Sequence, residues 1–410
     1  MASPRCLTDY RRLRRAAAMT GVADGITAVA LPLLAAGLTR HPPTIAGVMA
    51  IQHLPWVVAE YAGEDLRTRG DRRTIVGLAN TLRALVAVLL GGLSVVNNES
   101  IPVIYLAALI LGVGEALTDE AEDETLDVLL DATAASDARS TLRSRGMTGL
   151  ALAGLPLGGL LYDAAAAAPF MLSMACYAVA ALLALGVQTT IHPRTDSRTP
   201  ARRQSPPRQG VPHFARPVIA VASIAAGTTS ACLSVFVLYA TDTLALDAPT
   251  YGMVLAGFAG GSFVGSRLAP WVGEGLGIAT GIAASMATTG LGYGLTSLFA
   301  GHSAQRAIPF LVLSSTGAMS AGVLLRAMFQ ATFIAAGRTV DTTALRSFHL
   351  ATWSAIALGA MTGGILVETS GFPTLFLVMA GLAVVGGALA STLRVSPSTS
   401  TAGAAGDGAG

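Results

Sequence analysis

Lysine is absent from the 410 residues; all 26 basic side chains are arginine. A Walker A phosphate loop needs its lysine, so nucleotide hydrolysis by that route is excluded. Charged residues make up only 12% of the chain and aromatics 6%, against 52% hydrophobic. A mean hydropathy of +0.61 lies far from that of a soluble enzyme. Cysteine is limited to Cys6, Cys176 and Cys232, which suggests neither a disulfide framework nor a metal knuckle. The sequence holds no H-E-x-x-H, C-x-x-C or G-x-S-x-G pattern, and its net charge of +2 carries no nucleic-acid signal.

What the chain does have is apolar length. Twelve apolar stretches fall near 16–38, 44–63, 74–97, 101–119, 146–163, 167–188, 217–241, 250–271, 274–299, 307–333, 347–367 and 372–393. A helix crosses the hydrocarbon with about 20 apolar residues, and backbone polar groups there must be satisfied within the segment. The expected fold is therefore an all-α polytopic membrane protein, with twelve transmembrane helices in two pseudo-symmetric six-helix bundles. The expected organisation is an N-tail (1–15), an N-terminal bundle (16–190), a linker rich in Arg and Pro (191–216), a C-terminal bundle (217–394) and a C-tail (395–410). That last segment has too few large apolar groups to build a core and is expected to be disordered.

The arginines set the orientation. With the N-terminus in the cytoplasm, 22 of them fall on the cytoplasmic side, Arg40 and Arg306 fall outside, and Arg83 and Arg326 lie within spans. This asymmetry predicts that both termini are cytoplasmic. The Arg-rich start is not a cleavable signal, because no small-residue cleavage site separates it from a full-length span.

An internal repeat supports two halves. Thr141-Leu142-Arg143-Ser144 opens the fifth span and Ala344-Leu345-Arg346-Ser347 the eleventh. Pro156-Leu157-Gly158-Gly159-Leu160-Leu161-Tyr162-Asp163 then parallels Thr362-Gly363-Gly364-Ile365-Leu366-Val367-Glu368. The offset of about half the chain fits parallel repeats related by an axis along the membrane normal.

Several patches follow one another in order: Gly21-Val22-Ala23-Asp24-Gly25, Leu54-Pro55-Trp56, Asp71-Arg72-Arg73 with Asn80 and Arg83, Gly112 through Asp119, Gly154 through Gly159, and Arg326, Gln330, Gly337-Arg338 and Arg346. In these the chain resembles the major facilitator superfamily, in particular its bacterial twelve-helix exporters of drugs and siderophores, from about Tyr10 to Arg394. The resemblance implies alternating access around a cavity lined by spans one and four, in a bacterial inner membrane. It also implies a cytoplasmic gate at Asp71, Arg72 and Arg73. The chain departs from the family in two places. The loop after span two usually reads Gly-x-Leu-Ala-Asp-Arg-x-x-Arg-Arg, and here its Asp is replaced or shifted across Gly63–Arg73. Span four continues past Asp119 into Glu120, Glu122, Asp123, Glu124 and Asp127, where the family is small and apolar.

Ionisable groups inside spans are costly and read as functional by default. Asp24, His53, Arg83, Glu115, Asp119 and Arg326 are the candidates for coupling and substrate binding. Glu115 lies about 20 Å along span four at 1.5 Å per residue. A desolvated carboxylate there could exchange a proton near neutrality; the plainer role is a packing pair of Arg83 with Glu115 or Asp24. His53 could titrate or simply donate to a nearby carbonyl. Gly257, Gly261 and Gly265 fit close helix packing or a hinge.

Two functions follow. The first is a secondary active, proton-coupled exporter of an amphipathic small molecule or natural product. It would need no cofactor beyond the proton gradient and no partner beyond lipid and substrate, and would act as a monomer. The second is a membrane-embedded, Mg²⁺-dependent enzyme acting on a prenyl diphosphate. Asp119, Glu120, Asp123, Glu124 and Asp127 would hold the metal, with Asp119, Asp123 and Asp127 as its catalytic acids, since hard oxygen ligands suit a cation that bridges phosphates. The plainer account of that stripe is a helix end entering water and pairing with Arg139, Arg143 and Arg145. A sensor that has lost transport is a third reading, suggested by the altered loop.

Overall fold

The computed structural model describes residues 4–62, 72–129, 146–187, 212–300, 304–336 and 342–393. Among them the chain forms α1 (Pro4–Leu38), α2 (Pro42–Ala62), α3 (Arg72–Val95) and α4 (Ile101–Leu129). Span α5 is a π-helical turn, Gly149–Gly154, running into the helix Leu155–Ala164, and α6 covers Ala168–Leu185. The second half comprises α7 (Arg216–Ser234, extended by Phe236–Leu238 and a π-turn at Tyr239–Thr243), α8 (Ala248–Leu276), α9 (Ile278–Phe299) and α10 (Ile308–Ala335). The helical run Thr342–Ser391 breaks at Gly371, whose φ of 78° separates α11 (342–370) from α12 (372–391). Twelve helices therefore span the bundle, as the apolar pattern predicts.

Seven helical stretches are apolar and long enough to cross a membrane on length and composition alone, the last of them 343–391. The helices that fall short are α2, α5, α8 and α9. Three of these meet the other half of the molecule: α2 packs on α11, and α5 packs on α8. A helix covered by protein on that side needs a narrower apolar face.

The halves repeat the same packing. In the first, α1 lies on α5 and α2 on α4. In the second, α7 lies on α11 and α8 on α10. Glycine sets these distances. A Cβ on Gly21 would sit 2.2 Å from Gly146 O, and one on Gly363 would sit 2.1 Å from Ala231 O. Likewise a Cβ on Gly112 would meet Gln52 O at 2.0 Å, and one on Gly265 would meet Thr316 O at 2.1 Å. Backbones this close are the signature of small-residue helix contacts. The Gly261 and Gly265 positions thus serve packing; Gly257, with Val312 Cγ2 at 3.6 Å, is in ordinary contact.

Two helices exceed their apolar spans. α1 starts at Pro4 because polar contacts dock its first turns, which hydropathy cannot register. Asp9 is buried and pairs with Arg12 at 3.8 Å, and Arg12 donates to Gly186 O. Arg73 Nη1 donates to Val187 O at 3.2 Å. Two arginines from α1 and α3 therefore cap the carbonyl end of α6, where cations suit the helix dipole. α4 continues ten residues beyond Asp119 to Leu129. At the opposite membrane face, Asp247 caps α8 by accepting from Thr250 N at 3.0 Å. Hydrogen bonds from Thr250 hold its carboxyl below the usual carboxylate range.

Burial divides the core by depth. One apolar cluster takes Val29, Leu33 and Ile45 from the first half together with Phe236, Tyr251 and Phe376 from the second. It lies in the half of the bundle away from the termini. Two further clusters each stay within one half. The membrane face opposite the termini is thus sealed by a shared core. On the face of the termini the halves meet mainly where α2 touches α11.

Candidate functional site

Three helices of the first half bring a charge pair into the middle of the bundle. Arg83, on α3, is 2% exposed and its Nη2 donates to Asp24 Oδ1 on α1. Tyr177 Oη, from α6, donates to the same carboxylate oxygen at 2.7 Å. The Tyr177 ring lies under the guanidinium, 4.4 Å from Cζ to centroid, and its hydroxyl is 3.5 Å from Thr27 Oγ1. One aromatic residue thus touches both members of the pair, through its π face and through its hydroxyl. The Asp24 side chain keeps 21% exposure while Arg83 keeps almost none.

Glycine again creates the space. A Cβ at Gly114 on α4 would fall 2.5 Å from both Cγ and Cδ of Arg83. The bare backbone there lets the arginine stem lie against α4. The same helix carries Glu115 and Asp119, which act electrostatically on Arg83 alongside Asp24. Glu115 also shares a side-chain hydrogen bond with Gln52 of α2. Arg83 still has capacity: its Nε and Nη1 are buried without a hydrogen-bond partner among the described residues. Orphaned buried donors are rare and call for an explanation.

Of the sequence candidates, Asp24, Arg83, Glu115 and Asp119 therefore come together across α1, α3 and α4. His53 sits apart, facing the second half. Its Nδ1 donates to Met49 O at 2.8 Å, and its ring lies 5.9 Å from Trp353 of α11. Arg326 is on α10 in the other half, exposed. Of the gate residues, Arg73 caps α6, while Asp71 and the side chain of Arg72 lie outside the described residues. The side chains of Glu120, Asp123, Glu124 and Asp127 also lie outside them. Among the described residues no group of three or more His, Cys, Asp or Glu side chains is placed to hold a metal.

Several residues of the site and its surroundings escape a reading of the sequence. Tyr177 is a lone tyrosine in an Ala/Leu-rich span, Gln52 carries no motif of its own, and Gly114, though within the Gly112–Asp119 patch, does not announce its contact with Arg83. The contacts between the halves are equally hidden. Trp56 stacks on Trp353 with centroids 4.7 Å apart. Glu60 pairs with His349 at 3.0 Å, and Arg346 donates to Glu60 O. On the opposite face Arg40 meets Asp242 and His41 meets Glu368.

Comparison with known proteins places this arrangement. Among solved structures, a bacterial homologue of the human lysosomal transporter Spinster superposes with a TM-score of 0.74 at 13% identity, covering 95% of this chain and 97% of that one. A bacterial homologue of the iron transporter ferroportin gives 0.73 at 14% identity, over 94% and 98%. The nucleoside transporter NupG gives 0.71 at 11% identity, over 94% and 99%. At such identities the likeness is one of fold. No curated protein matches the chain by sequence. The prenyl-diphosphate enzyme reading finds no support in these likenesses, which are to transporters. The family described as transmembrane secretion effectors matches residues 3–406, and the chain belongs to that family, with the transporter fold of the major facilitator superfamily.

Proposed function

We propose that this protein is a proton-coupled secondary exporter of an amphipathic small molecule, working by alternating access in a bacterial inner membrane. The observation that carries the reading is a single buried arginine between two sets of carboxylates. Asp24 holds Nη2 of Arg83, while Glu115 and Asp119 lie on the side of α4. Nε and Nη1 remain open. A proton arriving on Asp24 weakens its hold on Arg83. The freed guanidinium then turns its open donors to Glu115, and α1 is released from α3. Such an exchange links protonation to the relative placement of helices that line the space between the halves.

The arginine asymmetry supports cytoplasmic termini, which makes the sealed face periplasmic and this conformation inward-facing. The Spinster and ferroportin homologues were captured inward-facing as well. The chain then works as a monomer, needing lipid, substrate and a proton gradient only.

The test is purified protein in liposomes with an imposed pH gradient, scored for movement of candidate amphipathic molecules. Glu115→Gln is expected to leave folded protein in the membrane and to abolish gradient-driven transport. Normal proton-driven transport by Glu115→Gln would remove this residue from the mechanism. Failure of the wild-type protein to move any candidate under either gradient direction would count against export itself.

A further inference from the structure

One charged side chain of the second half faces away from the rest of the protein. α8 packs on α10 through Gly261 and Gly265, where a Cβ would sit 2.7 Å from Val312 O and 2.1 Å from Thr316 O. It packs on α5 through Gly252, where a Cβ would sit 2.6 Å from Leu155 O. Phe258 sets its ring 4.9 Å from that of Phe236 on α7. The opposite side of the helix carries Met253, Gly260, Val264, Arg267 and Trp271, all exposed. Their helical spacing puts them on one stripe, and a Cβ on Gly260 would meet nothing within 4 Å. In a bilayer this stripe lies against lipid, which suits every member but the arginine.

Depth and contacts define what Arg267 can bind. It stands about 28 Å along α8 from Ala248 at 1.5 Å per residue, close to the full hydrocarbon thickness of about 30 Å. It therefore lies at the lipid boundary on the side of the termini. Trp271, 79% exposed, follows one turn further out, where interfacial tryptophans collect. The guanidinium turns back toward the hydrocarbon and rests on the Phe263 ring, 4.8 Å from Cζ to centroid. Among the described residues it has no hydrogen-bond or ion-pair partner. Glu274 is on the same side of α8 two turns further on, but the guanidinium points away from it. Arg12, Arg73 and Arg346, also at the ends of spans, each donate to a carbonyl of the protein.

We propose that Arg267, with Phe263 and Trp271, is a docking site for an anionic phospholipid such as phosphatidylglycerol, in the leaflet on the side of the termini. A cation held at this depth without a counter-charge is costly. The bilayer supplies the missing anion: the headgroup phosphate lies at the level of Trp271, and a guanidinium offers it two parallel donors. A zwitterionic headgroup brings its own cation, which Arg267 repels; a net anionic headgroup does not. The upper part of the acyl chain then covers Val264 and the open surface at Gly260. The site goes beyond the transport reading and does not depend on it.

Trp271 reports on its own site. Of the three tryptophans, Trp56 and Trp353 stack on each other between α2 and α11, and replacing both by Phe leaves Trp271 alone. The full chain is reconstituted in phosphatidylcholine with rising fractions of phosphatidylglycerol or phosphatidylcholine brominated high on the acyl chains. Quenching of Trp271 then gives the relative affinity of each lipid for that spot. Phosphatidylglycerol is expected to bind about fivefold more tightly than phosphatidylcholine, the contribution of one arginine near the surface. Arg267→Gln is expected to remove the preference and to leave the melting temperature unchanged, because the side chain is exposed. Equal quenching by both lipids in the protein that keeps Arg267 overturns the site. A preference that survives Arg267→Gln overturns it too, and assigns the attraction to the arginines of that face at large. If the double Trp→Phe variant does not fold, the same ratio is read from the unsubstituted chain as the quenching lost in Trp271→Phe. The measurement needs no substrate and no gradient, so loss of the lipid site leaves the exporter standing, and failure of transport leaves the lipid site standing.

Discussion

The centre of this molecule is one arginine that is only partly used. Arg83 is buried with a carboxylate on one nitrogen and two nitrogens unpartnered among the described residues. Removing one partner of a buried pair leaves an uncompensated charge and costs about 3–5 kcal/mol, whereas replacing both with apolar groups of similar volume is often neutral. Arg83→Leu alone should therefore destabilise strongly, and adding Asp24→Leu should recover a large part of the loss. Thermal unfolding in detergent, followed by tryptophan fluorescence, measures both. A double variant no more stable than Arg83→Leu would mean that Asp24 is not the charge Arg83 compensates. Much of this site was legible in the sequence, because an ionisable residue within an apolar span announces itself. Asp24, Arg83, Glu115 and Asp119 stood out on that ground alone. Which of them pair was not legible, since choosing between Asp24 and Glu115 as the partner of Arg83 depends on helix rotation. Tyr177 was hidden for a different reason: a tyrosine in a span is unremarkable until its ring and hydroxyl are seen to serve both charges.

At the scale of the helix, the sequence locates spans well and their ends poorly. Apolar length dictated twelve crossings, and twelve are present. The extension of α1 to Pro4 is not legible in hydropathy, which measures contact with lipid, because these turns lie beyond the apolar span, whereas that of α4 to Leu129 agrees with the reading of the acidic stripe as a helix end that continues past Asp119. The long run Thr342–Ser391 is broken by Gly371 alone, where a positive φ turns the chain between two spans. Elsewhere the glycines act through absence of bulk, and α8 offers a clean test. Gly260 faces open space, whereas a Cβ on Gly265 would press on Thr316 O at 2.1 Å. Gly260→Ala should leave thermal stability unchanged or raise it by up to about 1 kcal/mol, the propensity difference within a helix. Gly265→Ala should lower it by about 1–3 kcal/mol, because overpacking forces backbone shifts. Equal melting temperatures for the two variants would show that α8 and α10 are not held at the backbone distance seen here.

For the molecule as a whole, the two faces are closed by different means. Opposite the termini, α1, α2 and α5 share a buried apolar core with α7, α8 and α11. On the face of the termini, the described side-chain contacts between halves are polar or aromatic: Glu60 with His349, Arg346 with the Glu60 carbonyl, and Trp56 on Trp353. The repeat in the sequence foretold two equivalent halves, but not this inequality. It rests on contacts across the halves, such as those at Gly364 and Gly159, which read in isolation as ordinary small residues in spans. The inequality makes a directional prediction. A leucine at Gly364 must displace Ala46 and the chain at Pro42 and Pro43, all within about 3 Å of a Cβ there. Its bulk wedges the sealed face apart without touching the buried charge pair. Gly364→Leu should expose that face, raising the labelling rate of a cysteine at Ala46 by a membrane-impermeant maleimide about tenfold or more, the equivalent of 1.4 kcal/mol and within the range that overpacking costs. Trp353→Ala should leave that rate unchanged, because the indole stack lies near the other face. Equal labelling in all three proteins would mean that the apolar core at Val29, Ile45, Phe236 and Tyr251 stays closed even when the close contact of α2 with α11 is forced, and that opening must proceed elsewhere than between α2 and α11.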